Sequence, residues 1–325
     1  MVIRDKPNNS LGGNVLRNML RTLEKATQKS VPLTVEDLGI EPHIFLDVAE
    51  KCGYQPVFTP HQKGTSVKLK KAIIPVVMLY DSNESKSFNF LDLSDLHVGH
   101  PKFDSRELEK ILSRYYRNGK PLVDYVFIAG DLLEGITTDY YTYKLVNEEK
   151  EEMARVVNTR NIQVNQLLNI LEKYDFDYRV INGNHEYGYE ILGLEPPLKI
   201  LERKMRAKGK HFTFYDTYMV DFIIAGVCKR MMHLESFDMR PGVIPTYDRL
   251  RKFKKNGGLW VRYRGKKYPI RFFQCGHLHH RQEVYDGSTK IFITQPGSFV
   301  KTEMVYAPGI LVRGRVLDNK SVIRE

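Results

Sequence analysis

Four apolar, β-like runs in this chain each lead into side chains that bind cations, so the fold must gather its strand ends in one place. The runs are Phe88 to Leu93, Tyr125 to Ala129, Tyr178 to Ile181 and Phe272 to Cys275. They are followed by Ser94-Asp95-Leu96-His97-Val98-Gly99, Gly130-Asp131, Gly183-Asn184-His185-Glu186 and Gly276-His277-Leu278-His279. Singly these are ordinary turn punctuation. As an ordered set they place carboxylate oxygens and imidazole nitrogens in one crevice, the donor mixture of a two-metal centre. In Gly-His-x-His an extended chain turns both imidazoles the same way, so that they can serve adjacent ions. The set predicts hydrolysis of a phosphate ester.

Asp-x-His, Gly-Asp, Gly-Asn-His-Glu and Gly-His-x-His together resemble the signature of the calcineurin-like metallophosphoesterases. The resemblance runs from about Phe88 to Val316, and Gln295-Pro296-Gly297-Ser298 is similar to the Asn-Pro-Gly-Ser turn that often closes that fold. It implies that Asp95, His97, Asp131 and His279 hold one metal ion. Asp131, Asn184, His277 and one further histidine would hold the second, with Asp131 bridging. His185 would stabilise the transition state or protonate the leaving oxygen, oriented by Glu186. The ions would be Mn²⁺ first, with Fe or Zn²⁺ equally compatible with the donor set. The further histidine lies between Asn184 and His277, where His185, His211 and His233 occur. His233 is favoured over His211 because it ends a hairpin, Met219 to Ile224 with Val227 to Met232, where the family places this ligand.

The implied fold is α/β: a two-sheet metallophosphoesterase sandwich flanked by helices, with a small N-terminal winged-helix-like domain. Residues 1–85 form that domain and a linker. Thr34 with Asp37 reads as a capping-box helix start, a second helix runs from Pro42 to Lys51, and Gln55 to Thr59 pairs with Thr65 to Lys71. Residues 86–325 form the catalytic domain, with helices expected near Arg106 to Tyr116, Tyr143 to Tyr174 and Pro197 to Arg206.

Charge is the next constraint. The chain of 325 residues carries a formal net charge of +11, concentrated in a basic insertion at about 238–272. Eleven lysines and arginines stand there against Asp238 and Asp248, leaving about +2 for the rest. Arg251, Lys252, Lys254, Lys255, Arg262, Arg264, Lys266 and Lys267 are interleaved with aromatics that include Trp260. Cations neutralise backbone phosphates and aromatic faces stack on unpaired bases, so these residues are expected to bind nucleic acid, DNA first. The blander account of such a run is a solvated hairpin.

The expected function is therefore a two-metal phosphodiesterase acting on nucleic acid, an exo- or endonuclease of repair or replication. The sequence resembles most the DNA repair exonucleases of the SbcD type and the exonuclease subunit of archaeal D-family DNA polymerase. It departs from the former after Gly-Asp, where Leu132-Leu133-Glu134 stands in place of a nearby histidine. Two alternatives share the ligands. A small-molecule phosphodiesterase of the cyclic nucleotide type has no need of the basic insertion. A phosphoprotein phosphatase should carry an arginine after Gly-Asp that is missing here. The resemblance also implies an ATPase or a replication or repair protein as partner. No apolar stretch nears the roughly 20 residues that cross a bilayer, and Met1 to Pro7 lacks a secretory signal. With Cys52, Cys228 and Cys275 scattered, a cytoplasmic (intracellular) location is expected.

Overall fold

The strand-end pattern translates into two stacked sheets whose parallel strands finish on a common rim. A computed structural model of the chain describes residues 33–34, 54–61, 64–71, 74–80, 88–136, 150–233, 259–277, 279, 282–288, 290–300, 314–316 and 322–324. The chain divides into two units, Met1–Ala72 and Ile73–Glu325.

In the N-terminal unit β1 (Leu33–Thr34), β2 (Tyr54–His61) and β3 (Gly64–Lys71) form an antiparallel sheet of order β1-β3-β2. The hairpin of β2 and β3 is in register from Tyr54↔Lys71 to His61↔Gly64, longer than its expected strands. Thr34, expected to start a helix, pairs with Ser66. The helices expected before the hairpin lie outside the described residues.

The second unit begins before residue 86, because β4 (Val76–Tyr80) runs parallel to β11 (Met219–Ile224). The run Val76-Val77-Met78-Leu79 is too apolar for a linker and lies half-buried in that sheet. The polar stretch Ser82 to Lys86 lies outside the described residues.

The first large sheet takes β5 (Phe88–Leu93), β8 (Tyr125–Ala129), β9 (Tyr178–Ile181) and β10 (Phe212–Tyr215), all mutually parallel. Two antiparallel strands, β17 (Gly314–Val316) and β18 (Val322–Arg324), extend it beyond β5. The second runs β15 (Gln282–Asp286), β16 (Ile291–Gln295), β14 (Lys266–Cys275), β12 (Val227–Met232), β11, β4, with β13 (Trp260–Tyr263) antiparallel to β14. A two-stranded ribbon of β6 (Tyr116–Arg117) and β7 (Lys120–Pro121) precedes β8.

Alternation along each strand decides which layer it faces. Phe88 and Phe90 of β5 join Phe127, Ile181, Phe222, Ile224, Met231 and Phe272 in the core between the sheets. Leu91 and Leu93 point the other way, into a core with the helices. Those are α1 (Ser105–Arg114), α2 (Lys150–Leu171) and α4 (Pro197–Ala207); a short α3 (Asn184–Ile191) follows β9. Strands buried on both faces read as continuous apolar runs, which is why they were visible in the sequence. The side chain of Asp104 accepts from the Glu107 amide to cap α1, and Pro197 opens α4 with its φ already helical. Between β11 and β12, Ala225 and Gly226 both have positive φ, as a two-residue hairpin of matching twist requires.

One inward position of β5 breaks the apolar pattern. Asp92 and Lys229 are both about 1% exposed and lie 2.7 Å apart between the sheets. Thr294 donates to the same carboxylate, and the ammonium sits 4.5 Å from the Phe90 ring centroid and 4.8 Å from that of Phe127. Desolvation works against both charges, raising the Asp92 carboxyl and lowering the Lys229 ammonium, while each partner opposes the other's shift.

Candidate metal centre

Every candidate ligand stands just beyond the carboxyl end of a strand on the shared rim. Asp95 and His97 follow β5, Asp131 follows β8, Asn184 follows β9, His233 follows β12, and His277 and His279 follow β14. Two loops are laced together by backbone: Asp95 N–H donates to Gly130 O, His97 N–H to Asp131 O and Glu134 N–H to Val98 O. The Gln295 to Ser298 turn grips the first loop, with Ser298 Oγ donating to Asp95 O at 3.0 Å and Ser94 Oγ to Gly297 O at 3.1 Å.

The backbone there is unusual. Asp95, His97, Asp131, His277 and His279 all have positive φ, between 50° and 86°. Left-handed conformations disfavour residues with a Cβ and cost on the order of 1–2 kcal/mol each. Such outliers persist only where surrounding contacts over-determine them, and they gather at functional sites. Two glycines make the packing possible by having no side chain. A Cβ on Gly276 would collide with Ala129 O and the His233 ring, and one on Gly183 with the Asp131 carboxylate.

Among the described side chains two groups of potential ligands share a carboxylate, and His97, Glu134 and His185 make a third. Asp95, His97, Asp131 and His279 bring ligand atoms within 4.8 Å of one another, and so do Asp131, His233 and His277. Asn184 joins the second group, its Oδ1 3.0 Å from His233 Nε2 and 2.9 Å from His277 Nδ1. Asp95, His97, Asp131 and His233 are buried, whereas the His279 side chain is 40% exposed at the mouth. His211 lies at the other end of β10, where its carbonyl accepts from Tyr178.

Charge and desolvation pull against each other in this cluster. Burial works to raise the Asp131 carboxyl, yet His233, then His185 and His97, hold it well below the usual carboxylate range. Burial works against charge on His233 too, but Asp131 pushes it up to about 10. The His97 imidazole is likewise raised despite burial, chiefly by Glu134. An anionic Asp131 at the junction of imidazoles is what a pair of cations would need.

The residues fit two ions on further grounds. Asp131 Oδ2 is buried and accepts no well-aligned hydrogen bond, although His233 Nε2 lies 3.1 Å away. Such an atom is costly unless something else coordinates it. His97 Nε2 and His279 Nε2 face each other at 2.9 Å, so the tautomers protonated on Nδ1 aim both lone pairs at the same small volume. Oxygen and imidazole donors in this mixture suit borderline divalent metals without choosing among them.

One residue next to the ligands behaves differently from expectation. Glu186 is buried and does not orient His185. Its carboxylate accepts from the amides of Asp131 (3.1 Å), Leu133 (2.8 Å) and Gly183 (2.9 Å), tying two loops to the start of α3. Burial and then the nearby Asp131 charge push its carboxyl up to about 7. His185 instead meets the backbone carbonyl of Glu134, with Nδ1 2.5 Å away, and its own amide donates to Asp131 Oδ1. Glu134, which the sequence did not single out as a site residue, also reaches His97 Nδ1 with its side chain at 2.9 Å.

Of the basic residues, Arg251, Lys252, Lys254 and Lys255 lie outside the described residues. Trp260, Arg262, Arg264, Lys266 and Lys267 belong to the β13–β14 hairpin, away from the rim. Trp260 pairs with Pro269, six residues before β14 ends at Cys275. At about 3.3 Å per residue that is roughly 20 Å of strand. Trp260 is 54% exposed, and Arg262 pairs with Lys267 on an exposed stretch of the hairpin. His100 is half-buried beside the first loop and accepts from the Lys102 amide; His280 lies outside the described residues. No helix among the described residues is long and apolar enough to cross a membrane.

Residues 88–288 match the family model described as calcineurin-like phosphoesterase. No curated protein matches the chain. Among solved structures, a predicted phosphoesterase from Streptococcus pneumoniae is 14% identical, covering 74% of this chain and 99% of its own, with a TM-score of 0.34. Zinc-complexed Vps29 from Entamoeba histolytica is 14% identical, with 73% and 97% covered and a TM-score of 0.34. An archaeal phosphodiesterase is 12% identical, with 73% and 98% covered and a TM-score of 0.35.

Proposed function

The chain belongs to the calcineurin-like phosphoesterase family, metal-dependent hydrolases that bind two divalent ions, and we propose from that premise that it cleaves phosphodiesters in nucleic acid, DNA first. The observation that carries the reading is the carboxylate of Asp131, common to both groups of ligand atoms. On this reading Asp95, His97, Asp131 and His279 hold one ion and Asp131, Asn184, His233 and His277 the other. When bound, two such ions lower the pKa of water to give a nucleophile near neutral pH, and they neutralise phosphate charge. Asn184 contributes a neutral oxygen, so the loaded centre stays positive toward an anionic substrate.

The protein's own residues do the rest. His185 is the proton donor to the leaving oxygen. A carbonyl can only accept, so the bond to Glu134 O fixes the proton on Nδ1. A proton delivered from Nε2 therefore comes from the doubly protonated ring, and departure returns it to the Nδ1–H tautomer. Glu186 holds the loops bearing Asp131 and Asn184 at fixed separation through its three amide bonds.

Support for a polymeric substrate comes from the hairpin. An exposed tryptophan beside paired cations suits a phosphate backbone with accessible bases. Its distance from the rim matters: roughly 20 Å is about six nucleotides of one strand at ~3.4 Å each. Short substrates would reach the metal centre without touching the hairpin.

The test is Mn²⁺-dependent hydrolysis of end-labelled single- and double-stranded DNA, beside bis-p-nitrophenyl phosphate, with Asp131→Asn as the blank. Cleavage of DNA by the wild type alone is expected. Turnover of the small diester with DNA left intact would overturn the nucleic-acid reading and favour a small-molecule phosphodiesterase.

A further inference from the structure

Glu134 touches two histidines with two different groups. Its carboxylate Oε2 lies 2.9 Å from His97 Nδ1, and its main-chain carbonyl oxygen 2.5 Å from His185 Nδ1. The two imidazoles stand edge to face, with centroids 4.6 Å apart and planes at 89°. Both contacts are made to Nδ1, so both leave Nε2 as the working atom. For His97 that atom lies 3.9 Å from Asp131 Oδ2 and 2.9 Å from His279 Nε2, inside the first group of ligand atoms.

The segment carrying Glu134 is itself clamped. Gly135 has a φ of +74°, and its peptide is gripped from α2 by Gln163. Gln163 Oε1 accepts from the Gly135 amide and Nε2 donates to the Gly135 carbonyl, both at 3.1 Å. Tyr189 Oη donates to Gln163 Oε1 at 3.2 Å, and the Gln163 side chain fills the space beside Gly99. The side chain is 4% exposed and its amide meets the peptide on both sides, so the Glu134–Gly135 turn has little freedom.

We propose that Glu134 is the positioning residue of the centre, its side chain orienting the ligand His97 and its carbonyl orienting the proton donor His185. The proposal rests on the two-metal reading of the site. Carboxylate partners of ligand histidines fix ring orientation and tautomer and increase ligand basicity; their loss typically lowers metal affinity about 10- to 100-fold. The two contacts can be separated experimentally. A side-chain substitution removes the hold on His97 and leaves the carbonyl, and with it His185, in place.

The experiment is calorimetric titration of the purified full chain with Mn²⁺, wild type against Glu134→Ala and Glu134→Gln, followed by kcat and KM on bis-p-nitrophenyl phosphate at saturating Mn²⁺. Expected is Mn²⁺ affinity weakened at least tenfold in Glu134→Ala. Glu134→Gln should fall between, because an amide oxygen can still accept from Nδ1. At saturating Mn²⁺ most of kcat should return in both variants. Mn²⁺ affinity in both variants within twofold of wild type would overturn the proposal, as would a kcat that stays lost at saturating metal. Should wild type bind Mn²⁺ yet hydrolyse no diester, the functional reading fails while the affinity comparison still decides the role of Glu134.

Discussion

At the scale of single residues the site is built from conformations that ordinary side chains avoid. His279 has a φ of 51° and a side chain 40% exposed, so substitution there changes backbone strain more than packing. Replacement by alanine and by glycine removes the same ligand. In most positions the glycine variant would be the less stable. Here His279→Gly should exceed His279→Ala in stability by about 1 kcal/mol, read from denaturant midpoints; the usual order would show that the left-handed backbone is not strained. His185 invites a second comparison. His185→Ala should keep its metal content, measured by plasma emission, while turnover falls roughly 10²–10⁴-fold, the usual share of a general acid. Loss of metal together with activity would make His185 a ligand instead. The sequence marked His185 and gave Glu186 the wrong neighbour for a simple reason. Both lie in the first turn of α3, where successive side chains diverge by about 100°, so one faces the mouth and the other goes under the loops. Glu134 was hidden because half of its contribution comes from a carbonyl that no side-chain pattern reveals.

At the scale of elements, buried charge decides how the layers hold together. Glu190 on α3 accepts from Asn182 Nδ2, which also donates to Asp216. Burial, and then the Asp216 charge, push the Glu190 carboxyl up from the ordinary 4.5 to about 8. The folded protein thus holds this proton more tightly than the unfolded chain. The associated stability is complete below about pH 4.5 and is lost as pH rises through about 8. Glu190→Gln should therefore gain thermal stability relative to wild type between pH 5 and pH 9, and a difference in Tm independent of pH would refute the assignment. The Asp92–Lys229 pair between the sheets makes a different prediction. Lys229→Met alone strands a buried carboxylate and should cost roughly 3–5 kcal/mol, whereas adding Asp92→Leu should recover most of it. Equal losses in single and double variants would show that the pair's packing, not its charge, matters. Some strands were legible to the residue: β5, β11 and β12 begin and end where the sequence placed them. The fourth strand was not, since its partner β11 lies about 140 residues away and only that pairing distinguishes Val76–Tyr80 from the end of the preceding unit.

At the scale of the whole molecule, distance separates chemistry from the described part of the basic hairpin. Arg262→Glu with Lys267→Glu should weaken binding of long DNA and leave bis-p-nitrophenyl phosphate hydrolysis untouched, and the deficit should shrink as oligonucleotides become shorter than the hairpin-to-rim span. A deficit that is the same at all lengths would remove the hairpin from the substrate path. The segment's charge was evident from composition, but its placement was not, because a run of cations does not say at which end of a strand it will emerge. The rim carries a last consequence, for the order of folding events. Asp95, His97, Asp131 and Asn184 follow strands of one sheet, while His233, His277 and His279 follow strands of the other. An ion held by both groups works as a cross-link that can close only after the layers have met. It should slow unfolding and leave the refolding rate almost unchanged, the behaviour of contacts absent from the transition state. In chevron plots recorded with and without Mn²⁺, only the unfolding limb should move.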